Sequence, residues 1–153
     1  MSYSIIRDMY HMLNVQPQTP LVDLGCGYGR IGFYGALLWN QSLHGIEIVP
    51  ERVAEARRVQ QEVGLHSLSF EVGDLLTVAW PNVSHYLLMN SDFPSVVPPA
   101  LERLREIAQS RPITVASVSS SNEALRTQPW LQEHVPDCPS AKLPVCLRWF
   151  TSR

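Results

Sequence analysis

The chain has 153 residues, of which 45% are hydrophobic and 17% charged, a composition typical of a folded globular domain rather than a disordered chain. The chain has 12 Lys and Arg and 14 Asp and Glu, and the arginines are scattered along the sequence. This distribution argues against a basic surface that binds nucleic acid electrostatically. No apolar stretch approaches the ~18 residues of a membrane span, and the first residues lack the pattern of a secretory signal. Cys26, Cys138 and Cys146 match no metal-binding spacing, so we expect reduced thiols in a cytoplasmic protein without metal or membrane.

Helix-like and strand-like segments alternate along the chain. Spaced apolar residues predict helices over residues 3–13, 30–39, 51–63 and 98–109. Short apolar runs predict strands over residues 21–24, 43–48, 68–72, 85–89 and 113–118, followed by two more at 130–135 and 144–151. This order predicts a single α/β domain over residues 1–153, with a Rossmann-like, mostly parallel seven-stranded sheet. Helices cover both faces, and the last two strands form an antiparallel hairpin.

The first predicted strand ends in a glycine-rich motif, D-x-G-x-G-x-G, over residues 23–29. Glycines let the backbone turn sharply and let a ligand approach without a Cβ in the way. The helix that follows offers unpaired amides and a positive dipole end to a carboxylate. A dinucleotide site uses G-x-G-x-x-G, but its third glycine would fall at Arg30. Asp23 and Gly29 therefore favour S-adenosylmethionine over a dinucleotide.

Acidic residues follow the next two strands. Glu47 stands at the end of the second strand, 22 positions after Gly25, where a carboxylate can accept hydrogen bonds from both ribose hydroxyls. The alternative is a surface acid that caps the helix beginning near Pro50. Asp74 follows the third strand, where an acid can accept from the adenine amino group, or can simply belong to a turn. Together with the glycine motif, this order and spacing predict a site for S-adenosylmethionine.

On these residues the chain resembles the class I S-adenosylmethionine-dependent methyltransferases over nearly its full length. More weakly, it is similar to the disruptor-of-telomeric-silencing type of protein-lysine methyltransferase. The resemblance rests on the glycine motif, on Gly45-Ile46-Glu47, on residues 70–76 with Trp80 shortly after, and on residues 87–90.

The resemblance implies a role for each matched position. Glu47 would hold the ribose, and Ile48 would lie against the adenine. Asp74 and the backbone of Leu75 would read the adenine edge. The methionine end of the cofactor would be served by Asp23, Gly25, Cys26, Gly27 and Gly29. Asn90 would lie beside the sulfonium and the incoming nitrogen.

The segment Asn90-Ser91-Asp92-Phe93 bears on the acceptor. Many amino-group methyltransferases have Asn or Asp, two prolines and an aromatic here, and this chain keeps the outer two positions. The amide oxygen of Asn90 can orient an attacking amine, although a plain turn explains the same residues. We therefore expect N-methylation of an amine, either a protein lysine or a small molecule, with nucleic acid as an unlikely partner.

The chain starts almost at its first helix, so the family's upstream loop is expected to be absent. This leaves open the alternative that the chain is a cofactor-binding module or a partner subunit without catalysis of its own.

Overall fold

A computed structural model describes residues 1–14, 16–89, 96–142 and 147–153. Within them, helices and strands alternate in the order α1 (Tyr3–Leu13), β1 (Leu21–Leu24), α2 (Arg30–Trp39), β2 (Leu43–Glu47), α3 (Pro50–Val63), β3 (Leu68–Val72), β4 (His85–Leu88), α4 (Val97–Ala108), β5 (Thr114–Val118), α5 (Ser120–Arg126), β6 (Leu131–His134) and β7 (Leu147–Ser152). A short 3-10 helix spans Pro139–Lys142. The chain divides into two compact units: the glycine-loop unit, residues 15–83, and the hairpin unit, residues 1–14 with 84–153.

The glycine-loop unit is a parallel β-α-β-α-β arrangement with strand order β3-β2-β1. All four residues of β1 are buried, which explains why it appears in the sequence as a short run with little alternation. Helix α2 approaches the sheet closely at Gly32, where an added Cβ would lie 3.2 Å from Leu43 and 3.3 Å from Leu68. Glycine at this position therefore sets how near the helix lies to β2 and β3.

Helix α3 begins and ends at residues that favour those positions. Pro50 occupies its first turn, where a missing backbone N–H costs nothing. Gly64 follows its last residue in the left-handed conformation, with φ 74°, and its N–H donates to the carbonyl of Gln61 at 3.2 Å. Both boundaries were predictable from the sequence, because these preferences act within a few residues.

The hairpin unit contains the parallel pair β4–β5 and the antiparallel pairs β5–β7 and β6–β7. Its core is formed by large side chains with no more than 2% exposure, namely Ile6, Met9, Tyr86, Leu104, Ile113, Leu125 and Phe150. Helix α1 is tied to the 3-10 helix by Asp8, whose Oδ2 accepts hydrogen bonds from the backbone N–H of Ser140 at 3.2 Å and from its hydroxyl at 2.6 Å. A buried polar contact thus joins residues 132 positions apart.

The predicted fold class is confirmed: the seven strands make a mixed, mostly parallel sheet whose C-terminal strands are antiparallel. Helix α5 and the 3-10 helix were not predicted. The former is seven residues long and begins in a serine-rich stretch with little apolar periodicity. The predicted strand at 144–151 lies partly outside the described residues, and its described part is β7.

A single domain over residues 1–153 stays a prediction. In the described part of the chain, no helix is long and apolar enough to cross a membrane.

Replacing Gly45 should destabilise the glycine-loop unit. A Cβ at this position would lie 2.7 Å from Cys26 Sγ and 2.8 Å from the Phe70 ring, which is closer than side chains normally approach. We expect Gly45→Ala to lower the free energy of unfolding by about 1–3 kcal/mol, the usual cost of overpacking. Urea denaturation measures it.

Gly64→Ala is the matched control. Nothing lies within 4 Å of a Cβ at that position, so it introduces only backbone strain, expected to cost about 1 kcal/mol. A Gly45→Ala variant as stable as wild type would show that the contacts around Gly45 are not tight.

Candidate functional site

The glycine motif forms a loop between β1 and α2 with an unusual backbone. Gly25, Gly27 and Gly29 have φ values of 88°, 57° and 76°, a region that other residues rarely adopt. No atom lies within 4 Å of a Cβ built at Gly25 or Gly27, whereas one at Gly29 would lie 2.5 Å from the ring of Phe70. The first two glycines therefore leave backbone open to a ligand, while the third allows the loop to pack on β3.

Glu47 connects the loops that follow three neighbouring strands. Its Oε2 accepts a hydrogen bond from the N–H of Gly27 at 2.9 Å, and its Oε1 accepts one from Val49 at 3.1 Å. Its backbone carbonyl accepts a third from the N–H of Gly73 at 3.0 Å. The side chain is only 5% exposed. A carboxylate has about four acceptor positions, so each oxygen keeps one for a ligand hydroxyl.

Asp23 is a buried acid without a donor. It is 1% exposed, and among the described residues neither carboxyl oxygen has a hydrogen-bond partner. Burial, with a smaller contribution from the negative charge of Glu47, raises the pKa of Asp23 to about 7. An unpaired buried carboxyl of this kind is costly unless a ligand supplies the missing donor. A cationic amino group is the chemistry that fits it.

The side chain of Cys26 lies beneath the loop. It is buried, and its pKa is raised by burial and then by the negative charges of Asp23 and Glu47, which keeps it a neutral thiol. Cys26 was predicted to contact the cofactor, and this placement leaves its backbone rather than its sulfur for that role. Its N–H also donates to the carbonyl of Ile46 at 3.0 Å, which fixes the loop against β2.

The residues predicted at the adenine end lie in the same unit. Ile48 directly follows β2 and is 63% exposed, which is unusual for a branched apolar side chain. Asp74 is exposed, and its Oδ1 accepts a hydrogen bond from the N–H of Leu76 at 2.9 Å. Leu75 is buried, so only its backbone suits the predicted role. Asp74 keeps its other oxygen for a ligand.

The sequence analysis missed two residues that lie beside Glu47. Tyr28 is 61% exposed, and the guanidinium of Arg52 lies 5.8 Å from the centre of its ring. Arg52 Nη1 is also 3.6 Å from Glu47 Oε1. The position of Arg52 in the first turn of α3, five residues after Glu47, could have indicated that it lies near Glu47. Spacing in the sequence does not show, however, in which direction a side chain points.

One predicted residue cannot be placed, since Asn90 and the segment through Ser95 lie outside the described residues. The other nine predicted positions all belong to the glycine-loop unit. They offer open backbone at Gly25 and Gly27, a buried acid lacking a donor at Asp23, and an oriented carboxylate at Glu47. These features fit a nucleoside joined to an amino acid better than an inorganic ion. No cluster of three metal-ligating side chains occurs in the described ranges.

Comparison with known proteins agrees with this geometry. A family described as a methyltransferase domain matches residues 16–91, which contain the glycine motif, Glu47 and Asp74. The aklanonic acid methyltransferase of Streptomyces sp. (strain C5) is 36% identical over 90 residues, 58% of this chain and 41% of that protein. The 23S rRNA (uracil(747)-C(5))-methyltransferase of Shigella boydii is 32% identical over 108 residues, 69% of this chain and 28% of that protein. The chain thus spans less than half the length of these curated relatives.

A solved structure is similar over nearly the whole chain. The RNA methyltransferase of Salinibacter ruber, in complex with S-adenosyl-L-homocysteine, superposes with a TM-score of 0.71. The two sequences are 24% identical, and the match covers 99% of this chain and 91% of the other. At this identity the likeness shows a shared fold.

The unpaired carboxyl of Asp23 predicts a pH-dependent stability. Its pKa is raised in the folded state, so the fold holds this proton more tightly than the unfolded chain does. Its contribution is therefore favourable at low pH and is lost as the pH rises towards about 7. We expect Asp23→Asn to be more stable than wild type. The difference between their free energies of unfolding should be about 2–3 kcal/mol larger at pH 8 than at pH 5.

Urea denaturation between these two pH values measures the difference. Asp137→Asn, at an exposed position, is the matched control and should follow the wild-type pH dependence. A constant difference between Asp23→Asn and wild type would mean that Asp23 is ionised throughout the range.

Proposed function

The chain belongs to the class I S-adenosylmethionine-dependent methyltransferases, and we propose that it transfers a methyl group to a nitrogen atom of its acceptor. The bound cofactor would supply a methyl group carried on a sulfonium sulfur. As the nitrogen lone pair forms the new C–N bond, the C–S bond would break to leave a neutral thioether, and the methylated nitrogen would then lose a proton to water. The curated relatives are considerably longer than this chain, so their activity and acceptors are not carried over to it directly. The acceptor and the activity of the whole protein are therefore part of the proposal.

The observation that carries the cofactor part of the proposal is the contrast between two buried acids. Glu47 accepts hydrogen bonds from the N–H groups of Gly27 and Val49, which orient its oxygens towards ribose hydroxyls. Asp23 has no donor among the described residues, which suits a group completed by the cofactor's amino group. An adenosine attached to an amino acid would supply both the hydroxyls for Glu47 and the amino group for Asp23.

In this mechanism, the described residues bind and orient. The amides of the glycine loop and the first turn of α2 favour the cofactor's carboxylate. Glu47 fixes the ribose, Ile48 covers one face of the adenine, and Asp74 accepts from its amino group. Methyl transfer is an in-line displacement at carbon, so the chain accelerates it chiefly by holding the two reactants in line.

The acceptor atom and the class of acceptor molecule are proposed on separate grounds. A nitrogen is supported by Asn90 and Phe93, which keep the outer spacing of a pattern typical of amino-group methyltransferases. A protein lysine has less support, since the relatives described above act, by their names, on aklanonic acid and on rRNA. These names extend the proposed acceptors to small molecules and RNA, but the rRNA methyltransferase acts at a ring carbon, C(5) of a uracil, so the choice of nitrogen rests on Asn90 and Phe93. A cofactor-binding module without catalysis is the alternative, and an acceptor screen with labelled cofactor distinguishes the two.

Glu47→Gln tests the ribose contact with little change of shape. The variant loses the charge and one acceptor oxygen, so we expect S-adenosylhomocysteine to bind about 10- to 100-fold more weakly, the scale of a hydrogen bond to a charged group. Calorimetry measures the affinity. Glu51→Gln, an exposed acid in the first turn of α3, should match wild type. If wild-type protein instead preferred a nicotinamide dinucleotide, the assignment of the glycine loop would be wrong.

Asn90→Ala tests the acceptor side. If its amide orients the attacking nitrogen, the variant should bind the cofactor within a few-fold of wild type while methyl transfer falls by about 100-fold, as expected for one lost positioning contact. An acceptor found in the screen and single-turnover transfer of a labelled methyl group provide the measurement. Unchanged transfer would make Asn90 an ordinary turn residue.

A further inference from the structure

A groove lies within the hairpin unit. We call it the Arg7 groove; it has a volume of about 440 Å³. Four of its nine lining residues come from α1, four from the segment after β6, and one from β7. They are Arg7, Asp8, His11, Met12, Pro136, Asp137, Cys138, Pro139 and Trp149. None of them belongs to the glycine motif or to the acids that follow β2 and β3, so the cofactor proposal gives this groove no role.

The guanidinium of Arg7 is oriented by a buried acid. Its Nε and Nη2 lie 3.2 Å and 3.0 Å from Asp8 Oδ1, while Asp8 Oδ2 accepts from Ser140. Burial opposes ionisation of Asp8, but the hydrogen bonds from Ser140 and Arg7 outweigh it and lower its pKa. Asp8 therefore stays charged and anchors one side of the guanidinium. The N–H groups of Nη1 remain for a ligand, and a fork held in this way favours a phosphate or carboxylate.

An aromatic ring lines the same groove. Trp149 is half-buried and stacks on His134, with ring centres 5.3 Å apart and planes inclined by 17°. His134 is fixed in turn by a 2.9 Å hydrogen bond to the hydroxyl of Thr151. An indole held by His134 and an oriented guanidinium in the same groove are suited to a planar ring that carries an anion, because the ring can stack on the indole while the anion pairs with the guanidinium.

We infer that the Arg7 groove binds a nucleoside phosphate, with the phosphate on Arg7 and the base against Trp149. The ligand is either a free nucleotide or a nucleotide within RNA, since both present the same chemistry. One nucleotide needs only this local cation, so its binding is compatible with basic residues that are scattered along the sequence. Nucleotide binding in this groove depends neither on methyl transfer nor on cofactor binding at the glycine loop.

Uridine 5′-monophosphate is the probe, because a pyrimidine avoids competition at the proposed adenine site. Titration of the full chain, followed by the indole N–H signals in NMR, should move the Trp149 signal, which Trp149→Phe identifies. Arg7→Gln should weaken binding by about tenfold or more, as expected for a lost charge-assisted contact. Arg7→Lys should fall between the two, since it keeps the charge without the fork. Uridine and inorganic phosphate should each bind more weakly than the nucleotide.

Asp137→Asn gives a test of opposite sign. Asp137 is an exposed acid that lines the groove, so removing its charge should strengthen nucleotide binding about two- to five-fold at low salt. Arg58→Gln is the matched control for Arg7→Gln, because Arg58 is also half-exposed and paired with acids, but lies on α3. It should leave binding unchanged.

A short single-stranded RNA separates the two sources of the ligand. Tighter binding of tetrauridylate than of the mononucleotide identifies RNA, whereas equal binding identifies the free nucleotide, and either result supports the groove. No movement of the Trp149 signal with either probe, up to about 10 mM, would overturn the inference, because stacking with one ion pair is measurable there. Equal affinities of wild type and folded Arg7→Gln would overturn it as well.

Discussion

The hydrogen bonds of Glu47 are the constraint on which the proposed cofactor site depends. Its carboxylate accepts from Gly27 in the loop after β1 and from Val49 after β2, and its carbonyl accepts from Gly73 after β3. Parallel strands bring their carboxyl ends to one edge, but they do not fix the loops there. One buried residue therefore accepts hydrogen bonds from three loops, and the two bonds to its carboxylate are of the stronger, charge-assisted kind, at about 1.5–3 kcal/mol each.

The glycine loop is held in place by the protein's own groups. The backbone turns sharply at Gly25 and Gly27, with φ values of 88° and 57°, and the N–H of Gly27 donates to the Glu47 carboxylate. Gly45 leaves room for the side chain of Cys26 beneath the loop, and the N–H of Cys26 donates to the carbonyl of Ile46. The unpaired carboxyl of Asp23 opposes folding, and that cost is the part a cationic ligand can remove.

Asp8 and Asp23 show what decides the charge of a buried acid. Both are almost fully buried, yet the pKa of Asp8 is lowered and that of Asp23 is raised. The difference is the supply of donors: Asp8 accepts from Arg7 and twice from Ser140, whereas Asp23 accepts from no described residue. Burial by itself raises the pKa of both carboxyls. One acid therefore stabilises the contact between α1 and the 3-10 helix, while the other is left incomplete at a proposed binding site.

The sequence by itself determined the order of the strands and of the four longer helices, the boundaries of α3 at Pro50 and Gly64, and the glycine motif, because these depend on preferences that act within a few residues. It also indicated Glu47 and Asp74 through their places after strands. Only the tertiary structure decided which atoms meet. The bond from Gly27 to Glu47 spans 20 positions and that from Ser140 to Asp8 spans 132, and both require strands or helices to be packed first. Side-chain direction, donor supply and burial arise from that packing, and no local pattern encodes them.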